Sequence, residues 1–420
     1  MSKNKQSSCL DPFEADAISV DEALQIIYDQ ITPIRTSVKV ALRDALNRYL
    51  AEDIVSTMNV PPHRNAAMDG YALAGEDLPT DNEKIYRVEG SAFAGVPTDK
   101  SYQSGHVIRI MTGAVMPNGT DSVVPQELVE VLDDGMVKID TTQKSGQNVR
   151  HPGEDIALGE TILKKGHKVN AADLGVLASL GKAEVKIMRR PRVAFFSTGD
   201  ELKSIGEPLN EGDIFDSNRY TLFALLKNLE VDIIDLGVIS DTQTSIEDTL
   251  ISAAQSADFV ISSGGVSVGE ADFIKPTLKR LGDTHFKKIA MKPGRPLTFG
   301  SYHDAWFFGL PGNPVAVMVT FMQFVQPAMN YFASGFIKQA LTLTALCHQE
   351  IKKRPGRTEY IRAIMEQTEN GELTVKLTGK QGSGILMSMS LANCFIHLPV
   401  ESTGVQSGDL VEIIPFKPLI

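Results

Sequence analysis

Cysteine is nearly absent: three in 420 residues, at Cys9, Cys347 and Cys394, with no CxxC spacing. Isolated cysteines of this kind read as reduced residues of a cytoplasmic chain, neither a disulfide framework nor zinc ligands. The eight histidines form no HxH or HExxH pair, which speaks against a transition-metal centre. No window approaches the roughly twenty consecutive apolar residues of a membrane span. Positions 1–12 are polar and lack the apolar stretch of a signal peptide, so a short disordered lead-in is expected there. Excess positive charge is missing too. Against 41 Lys and Arg stand 52 Asp and Glu, a formal net charge of −11. Nucleic-acid binders need a basic face, so neither nucleic acid nor membrane is an expected partner, whereas an anionic small ligand is still admitted wherever cations gather locally.

What is present is ordinary in bulk, with 42% hydrophobic and 22% charged residues, and long enough for two to four domains. The middle of the chain alternates strand and helix. Strands are expected at 192–197, 231–236, 258–262, 285–291 and 306–310, and helices at 218–229, 245–257, 273–281 and 314–329. Repeated βα units of this length imply a doubly wound, mostly parallel sheet. Right-handed crossovers then put the C-terminal strand ends on one edge, where ligands of open α/β sheets bind. The flanks differ. Residues 19–50 carry two helical patterns, and Ser19 and Glu22 have capping-box spacing. Short strands and Gly/Pro turns fill 59–140, mixed structure returns over 154–187, and five strand candidates follow near 341–349, 359–366, 372–378, 394–399 and 409–415. The expected fold class is an α/β central domain with a β-rich insertion and a C-terminal β-barrel or sandwich, elongated and multidomain. The domains expected are 13–58 with 148–187, then 59–147, 188–333 and 334–420.

The chemistry concentrates after the strands. Residues Ser262 to Asp272 follow one buried strand and precede a helix. Gly264 and Gly265 allow a sharp turn with backbone N–H groups close to a ligand; Ser267 adds a neutral donor, and Glu270 and Asp272 add acid. Carboxylates beside an anion cradle make sense when a divalent cation lies between them. Glu201, Asp241 and Asp272 each follow one of three consecutive strands. One acid there usually caps a helix or makes a turn, but three on one sheet edge could hold Mg2+, a hard cation that bridges phosphates. Asp216-Ser217-Asn218 reads as a helix N-cap that also offers backbone N–H groups to an anion. Lys287, Lys288, Lys292 and Arg295 form the local cationic cluster, and Pro293, Gly294 and Pro296 stiffen it into a candidate oxyanion site. Pro311-Gly312-Asn313-Pro314 reads as helix punctuation, placed where it could line a substrate.

Outside the α/β region, Asn65 to Ala72, Met111-Thr112-Gly113-Ala114 and Gly153-Glu154-Asp155 would each pass as loops. Taken in order with Ser197–Leu202, Ser263–Gly269, Lys292–Pro296 and Pro311–Pro314, they resemble the molybdopterin molybdenumtransferase family. That resemblance implies a four-domain elongated homodimer, with an active site between the central domain of one subunit and the β-rich insertion of the other. It implies that adenylylated molybdopterin is hydrolysed to AMP in a Mg2+-dependent step while molybdate enters the dithiolene, whose soft sulfurs are the metal's ligands. The implied catalytic residues are Asp69, Thr112, Asp155, Glu201, Asp241 and Asp272, with Glu201, Asp241 and Asp272 at the metal. The implied substrate contacts are Gly264, Gly265, Ser267, Lys288, Lys292, Arg295, Pro311 and Pro314, joined by Arg357 and Ser383. Arg295 stands where many relatives carry Lys, which keeps charge and alters geometry. Docking of other cofactor-synthesis proteins is a further expectation. A non-catalytic pterin- or nucleotide-binding scaffold and a molybdopterin adenylyltransferase-like enzyme would share the α/β region. A lone adenylyltransferase, however, would lack the Asn65–Tyr71 insertion and the C-terminal β module.

Overall fold

The computed structural model describes residues 17–265 and 273–416. The chain forms two compact units, one of Met1–Val38, Asn47–Tyr49 and Ile187–Ile420, the other of Lys39–Leu46 and Leu50–Lys186.

The smaller unit is built on a six-stranded sheet, in the order Ser122–Pro125, Gly70–Leu73, His106–Ile110, Lys84–Ala92, Met136–Ile139, Val129–Val131. Strand side chains alternate between faces, and both faces are covered. Ala72, Ile108, Ile110 and Val123 pack into one apolar cluster, and Tyr71, Leu73, Val107 and Val124 into another. The expected β-rich character of this stretch is what forms. Its one long helix, Ala171–Ser179, starts at Asn170 with a reciprocal cap to Asp173.

Of the two helical patterns expected over 19–50, the first is a helix, Val20–Gln30. Its capping box is complete: Ser19 Oγ accepts from the Glu22 N–H at 3.2 Å, and the Ser19 N–H donates to Glu22 Oε2 at 2.8 Å. The second is a correction. Ser37–Ala41 is a strand and Leu42–Ala45 a single 3-10 turn. Val38 and Val40, β-branched and alternating with polar residues, favour the extended backbone, and Asn47 at φ 63° stops any continuation.

The larger unit carries the α/β sheet. Its strands are β1 (Arg192–Thr198), β2 (Asp232–Ile239), β3 (Phe259–Ser263), β4 (Asp283–Lys288), β5 (Pro296–Tyr302) and β6 (Ala305–Leu310), ordered β2-β1-β3-β6-β5-β4. β2, β1, β3 and β6 run parallel. β5, which the βα alternation does not predict, is antiparallel to both β6 and β4. Two reversals return β4 to the direction of β6, so the 289–295 connection lies on the same edge as the C-terminal ends of β1, β2, β3 and β6. The expected strand over 285–291 therefore ends early, at Lys288. Helices α1 (Ser217–Lys227), α2 (Gln243–Ser256), α3 (Ile274–Leu281) and α4 (Pro314–Thr320) follow β1, β2, β3 and β6. On one face Ala194, Phe196 and Val260 meet Ile246, Leu250, Ile274 and Leu278. On the other, Phe259 stacks on Phe308 at 6.3 Å and meets Phe332 edge-on at 5.1 Å. α4 runs on through a π turn at Phe321–Val325 into a further helix, Gln326–Ser334. Pro327, lacking an N–H, accounts for the widened turn.

Beyond Ser334 the five expected strands appear as β7 (Leu343–Cys347), β8 (Thr358–Gln367), β9 (Leu373–Leu377), β10 (Cys394–Leu398) and β11 (Leu410–Pro415). The order β8-β9-β7-β11-β10 closes by pairing β10 with β8, making a barrel and not a sandwich. Closure pairs both edges of this five-stranded sheet. Cys347 and Cys394 are buried and unbridged, and burial pushes the Cys394 thiol up to about 12, an unreactive core residue.

Candidate functional site

β1 ends on Thr198, and two of the expected acids lie beside that end. Thr198 Oγ1 donates to Asp241 Oδ1 at 3.1 Å. Gly199, at φ 154°, leaves room for the Glu201 carboxylate: a Cβ at Gly199 would lie 2.9 Å from either Glu201 oxygen. Glu201 and Asp241 thus share the end of β1. Asp272 and Ser267 lie outside the described residues, and among the described residues no three His, Cys, Asp or Glu side chains gather as a metal cluster.

The glycine pair after β3 packs against the same strand end. A Cβ on Gly264, at φ 93°, would fall 2.5 Å from the Thr198 carbonyl oxygen; one on Gly265, at φ 67°, would fall 2.6 Å from Ile274 Cδ1. Glycine is required at both for conformation and for space. The Gly264 N–H donates to Leu310 O at 3.1 Å, which joins the glycine loop to the end of β6.

α1 begins at the edge as its sequence suggested. Asp216 is the N-cap, its Oδ1 accepting from the Arg219 N–H at 3.0 Å. Its Oδ2 is buried with no hydrogen-bond partner. Asn218, in the first turn, donates from Nδ2 to Ser263 Oγ and to Gly312 O, each at 2.8 Å.

The cationic loop is fixed at both ends. The Ile289 N–H donates to Arg295 O at 3.0 Å, and Gly294, at φ 103°, lies so close to α4 that a Cβ would meet Thr320 Cγ2 at 2.4 Å. Met291–Lys292 adds a short parallel pairing to Thr358–Glu359 of β8. Lys292 Nζ is 3.3 Å from Glu359 Oε2. Glu359 is buried while the lysine is half exposed, with 54% of its side chain open, so the ion pair holds the ammonium and leaves a solvent-facing side. Lys288 closes β4, its carbonyl accepting from the Ile18 N–H; Arg357 directly precedes β8.

Pro311 is buried, and Pro314 is the first residue of α4 with Asn313 as N-cap by position, although its side chain makes no capping bond. The Ser383 carbonyl accepts from the Val315 N–H at 3.1 Å, placing Ser383 over the first turn of α4. Sequence reasoning missed Arg362. It is 2% exposed, donating from Nε to Ser388 Oγ at 3.1 Å and from Nη2 to Gly382 O at 3.0 Å. Burial pulls its pKa down to about 10. This cation shapes the turn that carries Ser383. A charged residue interrupting the apolar run Tyr360-Ile361-Arg362-Ala363-Ile364 was the available signal.

In the smaller unit, Asp69 Oδ1 accepts from both the N–H and the hydroxyl of Thr112, each at 2.7 Å. Those hydrogen bonds hold its carboxyl below the usual range. The Met111 N–H bonds Ala92 O, and the Gly113 N–H bonds Ala66 O; Asn65–Ala66 pairs with Val149–Arg150. Asp155 lines a hollow of about 460 Å3 with Val60, Pro61, Arg150 and Glu154. Asp69 and Thr112 are therefore brought together, and Asp155 borders its own depression.

Three family models match the chain in order: the MoeA N-terminal region (domain I and II) over residues 18–181, a probable molybdopterin binding domain over 194–331, and the MoeA C-terminal region (domain IV) over 344–416. A molybdopterin molybdenumtransferase from Haemophilus influenzae is 42% identical over 405 residues, 96% of this chain and 100% of that protein. The chain belongs to the molybdopterin molybdenumtransferase family. Its Nostoc counterpart is 36% identical, over 94% of this chain and 93% of its own, and gephyrin from Dictyostelium discoideum is 34% identical over 95% of this chain and 62% of its own length. Among solved structures, a molybdopterin biosynthesis moeA protein from Pyrococcus horikoshii superposes with a TM-score of 0.82 at 31% identity, covering 96% of this chain and all of that one. Membership makes this chain a member of a transferase family. It spans the N-terminal and C-terminal regions as well as the α/β core, which a lone adenylyltransferase would lack.

Proposed function

We propose that this chain transfers molybdate to molybdopterin, taking the adenylylated form as substrate and releasing AMP in a Mg2+-dependent step. The observation that carries this reading is the convergence of Glu201 and Asp241 on the end of β1, beside the Gly264–Gly265 turn. Oxygen donors of this kind suit Mg2+, which is held by one or two carboxylates and keeps several waters. Glu201 and Asp241 would hold the ion, with Asp272 as the expected third acid. Bound there, Mg2+ would supply charge neutralisation and polarisation at the pyrophosphate link.

The remaining roles fall to groups on the same rim. With the Gly264 N–H given to Leu310 O, the Gly265 N–H is the one proposed to approach an anionic guest. Lys292, held by Glu359 with one side open, and Arg295 give two cations on one stiff loop for the molybdate dianion. The protein supplies position and charge, and the dithiolene sulfurs supply the metal's ligands. Asp69, Thr112 and Asp155 are proposed participants from the smaller unit, and the working form is proposed to be a cytoplasmic homodimer.

The test is direct incubation of the purified chain with adenylylated molybdopterin, molybdate and Mg2+. Released AMP and molybdenum retained on the pterin should rise together. Absence of both, with substrate bound, would reduce the chain to a pterin-binding scaffold.

A further inference from the structure

Asn218 occupies the first turn of α1, two residues past the cap Asp216. From Nδ2 it donates to the hydroxyl of Ser263, the last residue of β3, and to the carbonyl of Gly312, just beyond β6, both at 2.8 Å. A single amide therefore ties the residue before Gly264–Gly265 to the turn that opens α4. The two loops also meet directly, since a Cβ on Gly312 would lie 4.0 Å from Gly264 Cα.

Chemistry fixes the orientation of that amide. A carbonyl only accepts, so the nitrogen and not the oxygen must face Gly312. Oδ1 is consequently turned inward, buried and without a hydrogen-bond partner. A buried acceptor left unpaired is costly, and here it accompanies two N–H bonds that span two loops. The mount is rigid: Leu222 and Leu226 bury α1 against the sheet, and Arg219 Nε bonds Asp235 at 2.9 Å. Gly264, Gly265, Pro311, Gly312 and Pro314 of the joined turns have side chains that offer no donor or acceptor to hold them.

We propose that Asn218 is a positioning residue for the transfer reaction, setting the spacing between the Gly264–Gly265 turn and the Pro311–Pro314 turn without itself touching substrate. This rests on the reading of that rim as the reactive one. Ångström-scale misplacement of groups that orient a reacting centre costs roughly 100-fold in rate, so the clamp acts on turnover more than on affinity.

Asn218→Asp keeps the shape, removes both donors and faces the Gly312 carbonyl with a carboxylate oxygen. Asn218→Ala removes the amide, and Ser263→Ala removes one of its two partners. The measurements are amide hydrogen exchange on the full chain and steady-state AMP release from adenylylated molybdopterin. In both Asn218 variants, exchange at the Gly264 amide should accelerate while β1 and α1 keep wild-type protection. Their kcat should fall roughly 10- to 100-fold with KM near wild type. Ser263→Ala should fall between, and Asn218→Ala with Ser263→Ala should be no slower than Asn218→Ala alone, because the two act through one bond. Unchanged exchange at Gly264 overturns the proposal, as does wild-type kcat in Asn218→Asp. Exchange rising throughout the sheet in Asn218→Ala, with Ser263→Ala indistinguishable from wild type, reduces Asn218 to a packing residue and overturns it too. If the wild-type chain releases no AMP, the functional reading fails by itself, and exchange at Gly264 alone then decides for or against the clamp.

Discussion

Glycine at 264 shows how one side chain can be forbidden twice. Its φ of 93° disfavours any L side chain, and the Thr198 carbonyl occupies the place of a Cβ at 2.5 Å. Gly264→Ala is expected to cost about 1–3 kcal/mol from the backbone alone, read as a lower melting temperature, and to disturb the Asp241–Thr198 contact next to it. Melting at the wild-type temperature would show that the strand end yields. Arg362 makes the opposite case, a buried cation satisfied by Gly382 O and Ser388 Oγ. Arg362→Met should leave the Gly382 carbonyl unpaired yet remove a desolvated charge. A stability change within about 1–3 kcal/mol is expected, together with loss of turnover, because the Ser383 turn is no longer held. Full activity would rule out that link. Glu201, Asp241 and the glycines of the turn were legible in the sequence because each directly follows a recognisable apolar strand pattern. The pairings of Asn218 and Arg362 were not, since their partners Gly312 and Ser388 are 94 and 26 residues away and only the fold brings them close.

At the scale of elements, the capping box at Ser19 could be read from spacing alone, since both its bonds are local. Ser19→Ala should lower stability by about 1 kcal/mol, measured by denaturant titration; no change would mean that Glu22 caps unaided. The mistaken second helix within 19–50 and the missed β5 have different causes. Over 37–41 the alternating Val38 and Val40 already favour a strand, whereas β5 is assigned by its partners: Gly300, a poor strand former, lies so close to β4 that a Cβ would meet Asp283 O at 2.2 Å. Tertiary pairing overrides propensity there. The sheet of the smaller unit has a partly buried polar hub in Asp77, which accepts from Lys84, Tyr102 and the Gly105 N–H. Burial opposes its ionisation, but those bonds prevail and bring its pKa down to about 2. A lowered folded-state pKa stabilises above the unfolded value near 4 and loses that stabilisation as pH falls toward 2. Asp77→Asn should therefore flatten the acid-induced loss of stability between pH 4 and 2. An unaltered acid limb would assign that loss to other carboxylates.

Across the whole molecule, the antiparallel β5 decides where the chemistry can gather. By reversing direction twice between β6 and β4, the chain returns the Lys292–Arg295 loop to the rim shared by Glu201, Asp241 and Gly264. The expectation of a mostly parallel sheet reached the same edge for a different reason. The closed barrel then attaches to that rim through Lys292–Glu359 and through Ser383 on α4, so cations, acids and the glycine turn belong to one compact unit. The measurement that bears most directly on this arrangement is the Mg2+ dependence of AMP release in wild type, Glu201→Gln and Asp241→Asn. A saturable Mg2+ requirement in wild type, with kcat lower by at least about 100-fold in each variant and melting temperatures close to wild type, is expected. Variants that keep the wild-type rate and Mg2+ response would contradict it.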